Sequence, residues 1–236
     1  MIATKGYDKA INNDLLLALP FHEASGLITQ DVAKPHHPVT LRGTIPSWAT
    51  IASGLGMLNF NGAGDYLDSP AADTADLDFT TDDYSIAVWE YHEWTAQSQI
   101  VIARYAVDLD GWELYFWDTG PINYLTLRHH HGSLATDRTG CGSIGWDNNT
   151  WHLIGISRSG AYPLHYRNGM GVEVTYDVGG LSDPDSCNRD LVIGARYTKN
   201  ADWYKGMQWN PRVWSRRLQP WEHRAIFDAE REIFGL

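Results

Sequence analysis

The segment GWELYFWD, residues 111–118, carries a carboxylate and aromatic side chains in one alternating pattern. Side chains two residues apart on a β-strand lie on the same face, so Glu113, Tyr115 and Trp117 would share one. A carboxylate between aromatic rings can accept hydrogen bonds from a sugar while the rings stack on it. The pattern therefore predicts a ligand-binding face, and a solvated outer-face role for Glu113 is the alternative.

Glycosidic cleavage would need a second carboxylate beside Glu113, because two carboxyl groups share the acid and base steps. Glu90, on a neighbouring strand, is the candidate for that role. The chain has no G-x-S-x-G, C-x-x-C or H-E-x-x-H motif, so other common hydrolytic and metal chemistries are unsupported. We predict a protein without catalytic residues, and a glycoside hydrolase is the minor alternative.

Three more aromatic residues, Tyr91, Trp94 and Trp203, are predicted at strand ends or in loops. Exposed there, they would bind sugar rings or become buried against a neighbouring subunit, which would make the protein a homo-oligomer. Plain core packing is the alternative. We include all three with Glu113, Tyr115 and Trp117 as predicted ligand-binding residues.

Two histidine clusters, His36-His37 and His129-His130-His131, suggest metal binding by residue type. Neighbouring residues on a strand point to opposite faces, so three in a row cannot all bind one ion. Both clusters stand beside glycine or proline. We therefore expect solvated loops at these positions.

Composition excludes several classes of protein. The 236 residues carry a formal net charge of -11, which repels phosphate backbones, and no basic patch offsets it, so nucleic-acid binding is excluded. The strongest apolar run, Leu15–Phe21, is too short to insert across a membrane. The polar N-terminal residues contain no secretory signal, which favours a virion or cytoplasmic assembly over Sec secretion. Cys141 and Cys187 leave a disulfide and two free thiols equally open.

The positioning elements are predicted from short runs with period-two alternation, separated by turn signals such as Asn61-Gly62 and Asp110-Gly111. The predicted strands are 15–21, 57–60, 84–91, 100–105, 112–117, 124–128, 151–157, 164–167, 172–177, 191–193 and 208–214. One helix is predicted from Pro220 towards Gly235, and its apolar face would comprise Trp221, Ala225, Ala229 and Ile233. This pattern predicts an all-β, antiparallel two-sheet sandwich with a short C-terminal helix, as a single domain over residues 1–236.

The order of several motifs resembles the laminin-G-like, concanavalin A-like lectin/glucanase superfamily found in bacterial and phage proteins. NFNGAGDYLD (59–68) is similar to the family's F-D-G-x-x-D-Y, and YSIAVW (84–89) to its F-T-I-S-A-W. Trp151-His152 resembles the start of W-H-x-V-A, and YRNG (166–169) resembles Y-V-N-G. The resemblance implies a jelly-roll sandwich, a fold that hosts many functions.

The resemblance also implies candidate site residues. Lectin-like members hold calcium on loops, and Asp65 matches such a position, with Asn61 and Asp68 nearby. Trp209 stands where the family's G-x-I-D-E-V motif has a carboxylate, so turn capping by Asp65 is the alternative to calcium. Glucanase members carry E-x-D-x-x-E or E-x-D-x-E, and in this chain no Glu is followed two residues later by Asp.

Two functions follow as expectations. The first is a non-catalytic carbohydrate-binding or adhesion module, a lectin displayed on a larger assembly. The second is a structural or decoration protein of a phage virion surface, a viral protein that acts through protein–protein contacts. The expected partner is accordingly a glycan or another protein of an assembly.

Overall fold

The chain forms two antiparallel β-sheets packed face to face, the predicted jelly-roll sandwich. The computed structural model describes residues 10–119, 123–132, 137–141, 146–177 and 180–236. In chain order the strands are β1 Leu15–Ala18, β2 Ile28–Gln30, β3 Pro38–Gly43, β4 Ser47–Thr50, β5 Gly56–Asn61, β6 Asp65–Ser69, β7 Tyr84–His92, β8 Gln99–Ala106, β9 Asp110–Asp118, β10 Asn123–His129, β11 Asp137–Cys141, β12 His152–Arg158, β13 Leu164–Arg167, β14 Met170–Val172, β15 Tyr176–Asp177, β16 Leu191–Ile193 and β17 Lys205–Trp214. Two 3₁₀ helices, Ala71–Leu77 and Arg231–Phe234, and one α-helix, α1 (Pro220–Glu230), complete the described elements.

Strands distant in sequence lie side by side in both sheets. The eight-stranded sheet has the order β14-β13-β12-β7-β17-β5-β4, and β1 pairs with β17 as well. The nine-stranded sheet has the order β15-β11-β10-β9-β8-β16-β6-β3-β2. Because β16 lies between β8 and β6, the chain that follows β16 is brought beside β8 and β9. This order decides which loops can reach the faces of these strands.

The core lies between the sheets and follows the alternation of side chains along each strand. On β9, Trp112, Leu114 and Phe116 face inward and are fully buried. Tyr84 of β7 faces inward too, and the ring of Phe79 stacks on it at a centroid distance of 4.5 Å. The intervening residues of β9 therefore point to the outer face of the nine-stranded sheet.

Helix α1 packs on the outer face of the eight-stranded sheet. Trp89, Trp209 and Trp214 of that face form one apolar cluster with Phe227 of the helix. The following 3₁₀ turn adds Phe234, whose ring lies 4.2 Å from that of Trp89. Among the described residues, no helix is long and apolar enough to cross a membrane.

The predicted apolar face of the helix is wrong, although the start at Pro220 is confirmed. Trp221 is 55% exposed, and the helix buries Glu222, His223, Ile226, Phe227 and Glu230. Polar side chains can be buried there because each has a hydrogen-bonding partner. The three pairs are Glu222 with Arg216, His223 with Ser157, and Glu230 with Arg212. Apolar spacing alone cannot identify a helix face that is held by buried polar pairs.

Five described strands have no counterpart among the predicted runs: β2, β3, β4, β6 and β11. Strand β6 illustrates the reason, since two of its three buried residues, Asp65 and Ser69, are polar, so DYLDS shows no apolar alternation. The longer predicted strands are confirmed with shifts at their ends. The prediction of one strand over 172–177 is wrong, because this run covers the end of β14 and all of β15, which belong to different sheets. Cys187 is a free, buried thiol, whereas the side chain of Cys141 lies outside the described part of the structure.

Candidate ligand-binding cleft

A cleft of about 210 Å³ opens on the outer face of the nine-stranded sheet, over β8, β9 and β10. Its lining residues are Ser98, Ile100, Tyr105, Val107, Glu113, Tyr115, Trp117, Arg128, Arg196 and Asp202. Glu113, Tyr115 and Trp117, which the alternation in GWELYFWD groups on one face, thus line one cleft. The other outer face of the sandwich is the one covered by α1.

Strand register sets the neighbours of each cleft residue. Glu113 stands between Ala103 of β8 and Arg128 of β10. Tyr115 pairs with Ile100 of β8. Directly opposed residues on adjacent strands are about 5 Å apart, close enough for side-chain contact. Ala103 and Arg128 are therefore the cross-strand neighbours of Glu113, and Arg128 is the one that can bind its carboxylate.

Glu113 is only 2% exposed, so a solvated outer-face position does not describe it. Its Oε1 accepts hydrogen bonds from the guanidinium of Arg128 at 3.2 Å and from Nε2 of His130 at 3.1 Å. The Tyr105 hydroxyl also binds Glu113, and burial together with this carboxylate raises the pKa of Tyr105. Glu113 is therefore a fixed acceptor with several protein donors.

The loop of residues 194–204, between β16 and β17, adds Arg196 and Asp202 to the cleft. Burial is the main reason that the pKa of Asp202 is raised; the Glu113 carboxylate adds to it, and Arg196 and Arg128 oppose it. Neither loop residue was predicted from the sequence. They lie far along the chain from β9, and only the β8-β16 pairing brings them there.

Aromatic rings form the remaining wall. Trp117 is half-buried, and its ring lies 5.7 Å from that of Tyr124 on β10. Tyr105 packs against Tyr197 at 5.1 Å and stacks on His130 at 4.7 Å. The indole of Trp117 thus lines the cleft, and the Tyr105 ring is held in place by Tyr197 and His130.

The other predicted ligand-binding aromatics lie elsewhere. Tyr91 is on the helix-covered face, 5.5 Å from the ring of Trp151. Trp94 follows β7 and packs partly against the core. Trp203 belongs to the 194–204 loop, but its ring faces Tyr66 at 6.2 Å, on the side of β6. The structure does not bring these three residues to the cleft.

Glu90 does not lie on a strand next to Glu113, so that expectation is wrong. Glu90 belongs to β7 of the eight-stranded sheet, whereas the neighbours of β9 are β8 and β10. It is fully buried between the sheets, where Oε2 binds Nδ1 of His92 at 2.8 Å and accepts the Tyr204 hydroxyl at 3.2 Å. The second carboxylate in the cleft is instead Asp202.

The three predicted calcium ligands do not converge. Asp65 is buried, and its Oδ2 accepts the backbone N–H of Asn61 at 2.8 Å, which is the turn-capping role. Asn61 Oδ1 accepts the N–H of Ala63. Asp68 lies on the opposite face of β6, where Arg42 and Lys199 bind its carboxylate at 3.0 and 2.7 Å. Within the described ranges, no group of three acidic, histidine or cysteine side chains is arranged to hold a metal ion.

The expectation of solvated histidine clusters is wrong for four of the five residues, since only His36 is exposed. His129 faces inward, where its Nε2 and the Tyr84 hydroxyl are 2.8 Å apart, and the next residue, His130, faces Glu113. Opposite orientations of neighbouring residues follow from strand geometry. His37 is buried between Asp31 and Asp76, at 2.7 and 2.8 Å.

Comparisons with known proteins agree with this architecture. The family model Laminin_G_3, of the concanavalin A-like lectin/glucanases superfamily, matches residues 61–222, a range that contains β8, β9, β10 and the 194–204 loop. No curated protein matches the sequence.

Similar solved structures are binding domains of botulinum neurotoxins. The neurotoxin DC domain in complex with rat synaptotagmin II has a TM-score of 0.69 and 12% identity, covering 93% of this chain and 52% of that one. A neurotoxin type C structure, from work on cell entry through two ganglioside molecules, has a TM-score of 0.68 and 12% identity, covering 94% and 52%. The DC domain in complex with SialylT has a TM-score of 0.66 and 12% identity, covering 93% and 52%. The chain spans about half the length of these domains, and the likeness concerns the fold.

Proposed function

The chain belongs to the concanavalin A-like lectin/glucanase superfamily, and from that premise we propose that it is a non-catalytic carbohydrate-binding module. The ligand enters the cleft over β8, β9 and β10. The observation that carries the proposal is that the indole of Trp117 and the fixed carboxylate of Glu113 line one cleft. Aromatic stacking with a hydrogen-bond acceptor at its side suits a pyranose ring, which has an apolar face and polar edges.

The size and charge of the cleft support a small, uncharged sugar unit. Its volume of about 210 Å³ is below the range of about 300–1,000 Å³ for drug-sized ligands, and suits a single ring. Two carboxylates, Glu113 and Asp202, face two guanidinium groups, Arg128 and Arg196. Donors and acceptors are thus both available without an excess of either charge, as the hydroxyl groups of a neutral sugar require.

The fixed state of Glu113 supports binding over catalysis. A carboxylate that already accepts hydrogen bonds from Arg128, His130 and Tyr105 would have to lose partners to act as a nucleophile or base. Glycoside hydrolysis is tested by release of reducing sugar from glycans, with Glu113→Gln and Asp202→Asn as controls. Release by the wild type that both variants abolish would overturn the non-catalytic assignment.

Partners are proposed by analogy with the neurotoxin domains, which bind gangliosides or synaptotagmin. For this chain we propose a glycan displayed on a cell or particle surface, so that the module acts in adhesion as part of a larger assembly. The proposal involves no calcium in the cleft, because the predicted calcium ligands Asp65, Asn61 and Asp68 do not line it.

The test is a glycan array screened with calcium and with a chelator. The wild type, Trp117→Ala and Trp221→Ala are compared, because Trp221 is an exposed tryptophan on α1, away from the cleft. Binding to neutral glycans that Trp117→Ala loses and Trp221→Ala keeps is expected, with no effect of chelator. Equal losses in both variants, or no binding at all, would overturn the proposal.

A second candidate function is a structural or decoration protein of a phage virion surface. The observation that favours it is a group of exposed apolar side chains by the β2 edge, where Leu27 is 53% and Ile28 is 55% exposed. An edge strand with exposed apolar residues offers a protein contact, including one with a second copy. Co-sedimentation with virions that Ile28→Lys abolishes would support this candidate. The outcome of the glycan-binding test would not affect it.

A further inference from the structure

The 194–204 loop carries both residues that close the cleft above β8, Arg196 and Asp202. Its own backbone bonds give it a fixed shape. The N–H of Tyr204 donates to the carbonyl of Gly194 at 2.9 Å, and the N–H of Arg196 donates to the carbonyl of Ala201 at 3.1 Å. At its tip, the N–H of Lys199 donates to the carbonyl of Arg196 at 2.7 Å. The position of Arg196 is thereby tied to that of Lys199.

Lys199 fastens the tip of the loop to two other segments. Its ammonium lies 2.7 Å from Asp68 of β6 and 2.9 Å from Asp190, which immediately precedes β16. Burial alone would lower the pKa of Lys199, but these two carboxylates outweigh it and raise it. Because one cation bridges two anions on separate segments, and only a quarter of the side chain is exposed, this contact is stronger than an isolated surface pair.

The other side of the loop is fastened to β8. The N–H of Ile100 donates to the carbonyl of Asp202 at 3.0 Å. The loop is therefore held at Lys199 on the β6 side and at Asp202 on the β8 side. The cleft lies beside the Asp202 contact, since Ile100 and Asp202 both line it. Lys199 itself does not line the cleft.

We infer that Lys199 is a positioning residue, which holds the 194–204 loop as a preformed lip with Arg196 and Asp202 in place before the ligand arrives. The expected effect on ligand binding rests on the proposed function, whereas the preformed lip is a property of the free protein. If the lip opens, the apparent dissociation constant rises by the reciprocal of the closed fraction. Removing the ammonium group of Lys199 should then weaken ligand binding without removing any group that touches the ligand.

Three variants test this inference. Lys199→Met removes the charge and keeps an aliphatic chain, while Lys199→Arg retains a cation for both carboxylates. Asp190→Asn removes one of the two anions and provides a milder version of the same change. The matched control is Arg42→Met, because Arg42 binds the same Asp68 carboxylate at 3.0 Å from β3, outside the loop, and is exposed.

Two readouts on the free protein report the lip itself. Carboxyl ¹³C NMR titration follows Asp202, whose pKa is raised chiefly by burial in the closed lip. Hydrogen exchange follows the amides of Tyr204 and Arg196, whose bonds close the loop. In Lys199→Met we expect the pKa of Asp202 to fall towards its ordinary value and these amides to exchange about tenfold faster. Lys199→Arg and Arg42→Met should resemble the wild type, and Asp190→Asn should lie between.

The binding readout is a printed array of neutral mono- and oligosaccharides. Lys199→Met is expected to weaken binding on the order of tenfold, with Lys199→Arg restoring it. An unchanged Asp202 pKa and unchanged exchange in Lys199→Met would overturn the inference. If the free-protein readouts change as expected while the wild type binds no sugar, Lys199 does position the loop, but the proposed function is wrong. If the wild type binds and Lys199→Met opens the lip without weakening binding, the positioning role fails.

Discussion

His130 connects the backbone at Asp108 to the carboxylate of Glu113. Its Nδ1 accepts the N–H of Asp108 at 3.1 Å, and its Nε2 lies 3.1 Å from Glu113 Oε1. A ring nitrogen that accepts a hydrogen bond cannot carry the proton, so the network assigns the proton to Nε2, which donates to Glu113. The direction of the cleft carboxylate is therefore set by the turn that joins β8 to β9.

Replacing His130 should destabilise the protein through Glu113. His130→Phe keeps a ring to stack on Tyr105 but removes a donor from a carboxylate that is 2% exposed, and we expect a loss of about 1–3 kcal/mol in the free energy of unfolding. His130→Gln can still donate and should lose less. Urea unfolding at neutral pH measures both. Equal stability of the two variants would show that the hydrogen bond to Glu113 does not determine the effect.

The cleft was half predictable from the sequence. Alternation along β9 is a local property, so Glu113, Tyr115 and Trp117 could be placed on one face without any tertiary information. Arg196 and Asp202 could not be, because their approach depends on β16 pairing with β8, a contact between segments about 90 positions apart.

Buried polar residues explain most of the other sequence-based predictions that are wrong. The helix face and the histidine clusters were predicted on the rule that polar side chains are solvated. His223 and His130 violate that rule because Ser157 and Glu113 satisfy them, and such partners cannot be identified from one sequence. The turn-capping role of Asp65 could be predicted as the alternative to calcium binding, because an aspartate that caps its own turn needs only local residues.

Trp117 should contribute more to ligand binding than Trp221, the exposed tryptophan of α1. Trp117→Ala removes the indole that lines the cleft, and we expect the dissociation constant for bound glycans to rise at least about fivefold, as for interface residues that cost more than 1 kcal/mol. Trp221→Ala, on α1, should change it by less than about twofold. Isothermal titration with the strongest glycan of the array gives both values. Similar effects of the two substitutions would place the binding surface elsewhere.

Gly155 should be intolerant of a methyl group. A Cβ at this position on β12 would lie 2.8 Å from Nδ1 of His223, whose ring is stacked on Tyr166 at 3.8 Å and cannot withdraw freely. We expect Gly155→Ala to cost about 1–3 kcal/mol, as for overpacking of a filled interior. Gly171→Ala is the matched control, since a Cβ there meets nothing within 4 Å. Comparable stability of the two alanine variants would mean that α1 shifts easily on the sheet.

His165 should make the fold sensitive to acid. Its ring is fully buried on the core side of β13, neither nitrogen has a hydrogen-bond partner among the described residues, and burial lowers the pKa from 6.5 to about 4. The folded state therefore resists a proton that the unfolded chain accepts, so stability is complete above about pH 6.5 and falls as the pH decreases towards 4.

His165→Phe removes this proton uptake and an unsatisfied polar ring together. We expect it to equal or exceed the wild type in stability at pH 7, and to lose less stability between pH 6.5 and 4, by on the order of 3 kcal/mol. His22→Gln, on the surface, should follow the wild type. Urea unfolding at several pH values in this window measures the slopes. A wild-type slope that persists in His165→Phe would assign the acid sensitivity to other buried histidines, of which His129 and His223 have a pKa lowered to about 3, mainly by burial.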